Sequence, residues 1–88
     1  MNTRLPVYLV TARDRIKARY DSPAGRRELQ HLIEVSDYDR AAAWRQFAAR
    51  ACPSLPEGYL ADAIELARGA IKAERRARML AAEPGWAA

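Results

Sequence analysis

At 88 residues, half of them apolar, the chain is long enough for one domain with a modest core and too short for two. A single cysteine, Cys52, excludes a disulfide scaffold within the chain, and no apolar run approaches the roughly 20 residues of a membrane span. The net charge of +4 is unevenly placed: residues 1–27 hold seven basic and two acidic side chains, residues 28–67 three and seven, and residues 68–88 five and two. Basic ends therefore flank an acidic middle, and they meet either an anionic partner or that middle.

The first apolar run, LPVYLV, is too short for a secretory leader and soon gives way to Arg13, Asp14 and Arg15, so a cytoplasmic protein is expected. Its periodicity predicts a first helix over residues 5–20, with Thr3 as cap and Pro6 in the first turn. Leu9, Ala12, Ile16 and Tyr20 recur at three- and four-residue spacing and make one apolar face. The rival is a short strand over residues 5–11, since Val, Tyr and Thr favour strands, but it has no evident pairing partner.

DSPAG breaks the chain, and Asp21 or Ser22 is expected to cap a second helix with Pro23 in its first turn. Leu29, Leu32 and Ile33 form its apolar face, which ends near Val35. Ser36 is the expected cap of a third helix in SDYD, with Asp39 at the third helical position. Tyr38, Ala41, Trp44, Phe47, Ala48 and Ala51 follow at helical spacing, and Trp44 and Phe47 are assigned to the core. CPSLPEGY interrupts again, and Ser54 with Glu57 reads as a capping box around Pro56.

The fourth helix is long, from Pro56 to Leu80 or Ala82. Leu60, Ile64, Ala67 and Ile71 line one side, Ala63, Leu66, Ala70, Ala73 and Ala77 the adjacent side, and Glu65, Arg68, Lys72 and Arg76 the opposite face. Together the apolar positions cover about half the circumference, more than three short helices cover readily. Residues 1–82 are thus expected to form a small all-α, four-helix domain with antiparallel neighbours and a long last helix, followed by a short tail, residues 83–88, that Pro84 and Gly85 keep from continuing it.

ARDRIKA, from Ala12, and ARGAIKA, from Ala67, share A-R-x-x-I-K-A. Either the Ala and Ile of each face inward and do the same packing job, or the Arg and Lys form stripes that grip phosphates. A groove-reading helix-turn-helix is disfavoured because the third helix opens with Asp37 and Asp39, which phosphates repel. Backbone binding through the basic ends stays open.

Catalytic and metal chemistry find little here. His31 is the single histidine, no second ligand stands at metal spacing from it or from Cys52, and no Gly-rich phosphate loop or nucleophile elbow occurs. The expectation is a non-enzymatic protein–protein interaction module without cofactor or metal. It would be a small adaptor, regulator or inhibitor of a kind that a phage or mobile element encodes; thirteen Arg against two Lys, with abundant Ala, suit a GC-rich bacterial or phage genome. Arg68, Lys72, Arg75, Arg76 and Trp86 are the expected partner-binding residues, since Trp and Arg dominate binding hot spots. The partner is another protein, with a homodimer as one form of it and no membrane. The alternative is a sequence-independent nucleic-acid-binding protein using the basic ends of helices one and four.

Overall fold

The computed structural model describes residues 5–82. Four helices follow in order, α1 (Val7–Asp21), α2 (Pro23–Val35), α3 (Arg40–Ala51) and α4 (Leu60–Ala81), with a 3-10 turn, Glu57–Tyr59, leading into the last. No strand occurs among the described residues, so Val7–Thr11 is helix and the strand alternative falls. Pro6 stands just before α1 rather than inside it: its extended backbone (φ −58°, ψ 145°) leaves its carbonyl to accept the first helical bonds, from the Leu9 and Val10 amides. The Thr3 cap and the tail from residue 83 onward lie outside the described residues.

α1 and α2 are joined through Ser22 alone. Its hydroxyl accepts from the Gly25 amide at 2.9 Å and donates to the Arg19 carbonyl at 2.8 Å, so one side chain closes the end of α1 and opens α2. The junction works because residue 25 is glycine. A Cβ there would lie 1.6 Å from the Arg19 carbonyl oxygen.

The turn between α2 and α3 corrects the reading of SDYD. Ser36 closes α2 instead of opening α3, and Asp39 is the α3 cap, accepting from the Ala42 amide at 3.1 Å. The Tyr38 amide reaches back to the Ile33 carbonyl (2.8 Å) and the Asp37 amide to the Glu34 carbonyl (3.2 Å), the paired bonds of a Schellman ending. That ending uses left-handed backbone at Asp37 (φ 58°) and Tyr38 (φ 65°) without a glycine. The carbonyls at the end of α2 claim this segment before α3 can start, which moves the cap three residues on. Tyr38 is therefore outside the helix and exposed, and Ala41 is exposed as well.

The expected Ser54–Glu57 capping box is absent. Pro56, extended at φ −58° and ψ 142°, separates Ser54 from the helical residues, and neither the 3-10 turn nor α4 has a side-chain cap. The Pro56 carbonyl accepts from the Tyr59 amide instead, and the chain enters α4 through the tighter turn.

The core forms one cluster with Ile16 and Phe47 at its centre, both wholly buried. α1 and α3 pack against each other and against both other helices, while α2 and α4 scarcely meet, so the α1–α3 pair separates them. The chain neighbours α2/α3 and α3/α4 run antiparallel: Glu28 early in α2 meets Arg50 late in α3, and Trp44 meets Arg68 while Cys52 and Leu60 close the other end. α1 and α4 run in the same sense, since Tyr8 meets Tyr59 and, further along both, Tyr20 meets Arg75. This parallel pair explains the doubled sequence. Ala12, Ile16 and Ala67 are buried in the core and Ile71 packs on it, so both copies present the same small-then-branched pair to the interior.

Three helices are tied by one carboxylate. Glu28 of α2 accepts two bonds from Arg19 of α1 (2.7 and 3.0 Å) and one from Arg50 of α3 (2.8 Å). These hydrogen bonds, that of Arg19 foremost, hold the Glu28 carboxyl down at about 2, and the same contact raises the Arg19 guanidinium. At the α1–α4 contact, Lys17 pairs with Asp21 (2.7 Å) and with Glu74, which also receives Arg78. Lys17 is raised by Asp21 first and Glu74 second, and Glu74 is lowered by Lys17 and then by Arg78. Of the basic side chains at the ends, Arg13, Lys17, Arg19 and Arg78 thus meet nearby carboxylates.

Candidate functional site

The azimuth of α4 that faces the core carries Leu60, Ala63, Ala67 and Ile71 and then changes character. At 100° per residue the next positions on that side are Glu74 and Arg78, which form the ion-paired cluster with Lys17 rather than more core. The apolar arc expected along the whole helix is therefore covered only in its first half: Leu66 and Ala70 are half-buried, whereas Ala73 and Ala77 are exposed. Past Ile71 the large apolar side chains turn outward, with Met79 at 70% and Leu80 at 65% exposure.

These two residues share a surface with three of the expected partner-binding residues. Lys72, Arg75, Arg76, Met79 and Leu80 line one hollow, and on a regular helix they fall within about 140° of arc. Arg75 is fixed by a bond from Nη2 to the Tyr20 hydroxyl at 3.0 Å, which leaves its remaining donors outward. Lys72 and Arg76 are exposed, and neither forms an ion pair among the described residues.

Arg68 lies on the same stripe but has a second employment. Its guanidinium stands 5.3 Å from the Trp44 ring centroid, and that ring also stacks on Tyr20 (5.8 Å, 20°) and meets Phe47 edge-on (5.7 Å, 86°). Arg68 covers an edge of the core as well as bordering the stripe, a cation–π contact of about 0.5–1 kcal/mol at an exposed site. Trp86, the fifth expected residue, lies outside the described residues.

A second surface was not foreseen in the sequence. At the start of α4, a groove of about 460 Å³ runs between α1 and the α3–α4 connection. Ala12 and Cys52 are its buried floor, Leu55 and Pro56 one wall, and Tyr8 with Tyr59 the other; the two rings pack edge-to-face at 4.9 Å and 63°. Among the described residues Arg15 is the one charged residue lining it. The Cys52 thiol reaches the Ala12 carbonyl at 3.6 Å. Burial pushes that thiol up, against a smaller opposing pull from the Arg15 charge, so it is a weak nucleophile. The signal available in the sequence was the placement of Tyr8 and Tyr59 off the predicted core faces; their meeting depends on the parallel α1–α4 contact.

Among the described residues no three His, Cys, Asp or Glu side chains stand together as metal ligands, and no helix is long and apolar enough to cross a membrane. Compared with known protein families, with curated proteins and with solved structures, the chain matches none.

Proposed function

We infer that the chain is a non-enzymatic protein–protein interaction module, an adaptor, regulator or inhibitor, whose contact surface is the outer stripe of α4 from Arg68 to Leu80. One observation carries this. Beyond Ile71 the inward azimuth is closed by the Lys17–Glu74–Arg78 cluster, while Met79 and Leu80 face solvent among Lys72, Arg75 and Arg76. Apolar side chains that do not serve the core, ringed by cations, suit a partner surface that is apolar and acidic, with guanidinium groups pairing to carboxylates in their planar geometry. A phosphate track needs the cations and has no use for Met79 and Leu80, which is why the nucleic-acid reading ranks second.

The test is affinity capture from a bacterial lysate with and without nuclease, using the wild-type chain and the variants Met79→Asp and Leu80→Asp. Both sites are exposed, so folding is expected to hold. The expected result is a discrete, nuclease-resistant partner that both variants lose. Capture that neither variant weakens overturns the assignment to this surface, and capture that nuclease abolishes overturns the protein-partner reading in favour of backbone binding to nucleic acid.

A further inference from the structure

The groove beside α1 lies at the opposite end of α4 from the cationic stripe and shares no residue with it. We propose that this groove is a binding site for a small apolar carboxylate, an aryl or short acyl chain ending in a single carboxyl group, with its body between the tyrosine pair and Leu55 and its carboxylate on Arg15.

Size and lining come first. Its volume of about 460 Å³ falls within the range of small-ligand sites, which run from about 300 to 1,000 Å³. Ala12, Cys52, Leu55 and Pro56 offer no charge and little polarity, so water held over them gains when an apolar body displaces it. The inclined rings of Tyr8 and Tyr59 present both edge and face, the two surfaces that an aryl group packs on.

Charge then selects the ligand. Arg15, like other exposed cations such as Arg26, Arg40 and Arg45, has no carboxylate within ion-pair distance among the described residues, and of these it is Arg15 that lines the groove. Among the described residues no acidic side chain lines the groove, so none of them neutralises the Arg15 guanidinium there. That group's planar fork matches a carboxylate with two parallel bonds. Thr11, one helical turn before Arg15, and Ser54 on the facing wall add hydroxyl donors. A purely apolar molecule would leave the guanidinium without its counter-charge, and a bare anion would leave the apolar floor wet. A molecule with both parts satisfies both.

The test compares 4-phenylbutyrate with its neutral isostere 4-phenylbutyramide, titrated into the full chain and followed by backbone amide NMR shifts. The acid is expected to bind with Kd below about 1 mM, as suits a ligand of this size. Its shifts should be confined to the Tyr8–Arg15 and Cys52–Tyr59 segments. The amide should bind about tenfold more weakly for want of the charge-assisted bond, and Arg15→Gln should bring the acid down to the amide's affinity. Thr11→Trp, at an exposed position, should close the groove to both ligands without lowering the melting temperature. Equal binding of acid and amide, indifference to Arg15→Gln, shifts centred on Lys72–Leu80, or no binding at about 5 mM would each overturn the proposal. None of these outcomes bears on capture through the far end of α4, which is read with Met79→Asp.

Discussion

Gly25→Ala sets local helix propensity directly against the tertiary contact. Gly25 lies in the first turn of α2, and on propensity alone alanine there would stabilise the helix by up to about 1 kcal/mol. The structure predicts the opposite sign. The added Cβ would lie 1.6 Å from the Arg19 carbonyl oxygen and 2.6 Å from its carbon, both main-chain atoms that cannot rotate away. Restoring an ordinary contact moves the end of α1 from α2 by well over an ångström. That movement strains both bonds of the Ser22 hydroxyl, at 2.8 and 2.9 Å, and so the cap they form. Loss of a cap costs about 1 kcal/mol, and forced overpacking adds about 1–3 kcal/mol. The gain in propensity offsets up to about 1 kcal/mol, which leaves a net loss of about 1–4 kcal/mol, or roughly 4–30 °C in melting temperature for a domain of this size. Thermal and urea unfolding followed by circular dichroism measure it. A variant as stable as wild type, or more so, would show that the one-residue junction is not packed as described.

Three further outcomes are expected. Because the folded Glu28 carboxyl sits at about 2 against an ordinary 4.5, its contribution is present above about 4.5 and is lost as pH falls toward 2; melting temperatures between pH 7 and 2 should fall in that window, and less steeply in Glu28→Gln. Tyr38→Gly relieves left-handed backbone that costs a non-glycine residue about 1–2 kcal/mol, against a glycine entropy cost of about 0.5–1 kcal/mol, so a modest rise in stability by urea unfolding is expected at this exposed site, and a marked loss would mean that the tyrosine side chain packs. Finally, Val35 and Tyr38 lie exposed among Glu34, Asp37 and Asp39, a patch complementary in charge to Lys72, Arg76, Met79 and Leu80. Sedimentation at about 100 μM should therefore show a salt-sensitive dimer that Arg76→Glu weakens, and a pure monomer would leave both patches to a foreign partner.

The sequence by itself determined what short-range bonding and helical periodicity encode. Pro23, with a cap at Asp21 or Ser22, marks the start of α2 because a cap and a proline act within one turn; the structure selects Ser22. Leu29, Leu32 and Ile33, and Trp44 with Phe47, mark buried faces because 3.6 residues per turn bring them to one side. The same periodicity places Lys72, Arg75 and Arg76 on one stripe. Where two local solutions competed, the residues alone did not choose: Ser36 could end α2 or begin α3, and Ser54 with Glu57 had the spacing of a capping box that the extended Pro56 prevents. The tertiary structure decided everything that joins distant positions. Only the parallel run of α1 along α4 brings Tyr8 to Tyr59 and Lys17 to Glu74, and only the α3–α4 contact sets Arg68 over Trp44. Such contacts depend on how closely helices approach, which small buried residues such as Ala12, Ala63 and Ala67 permit. Alanine reads alike in every helix until its neighbours are in place.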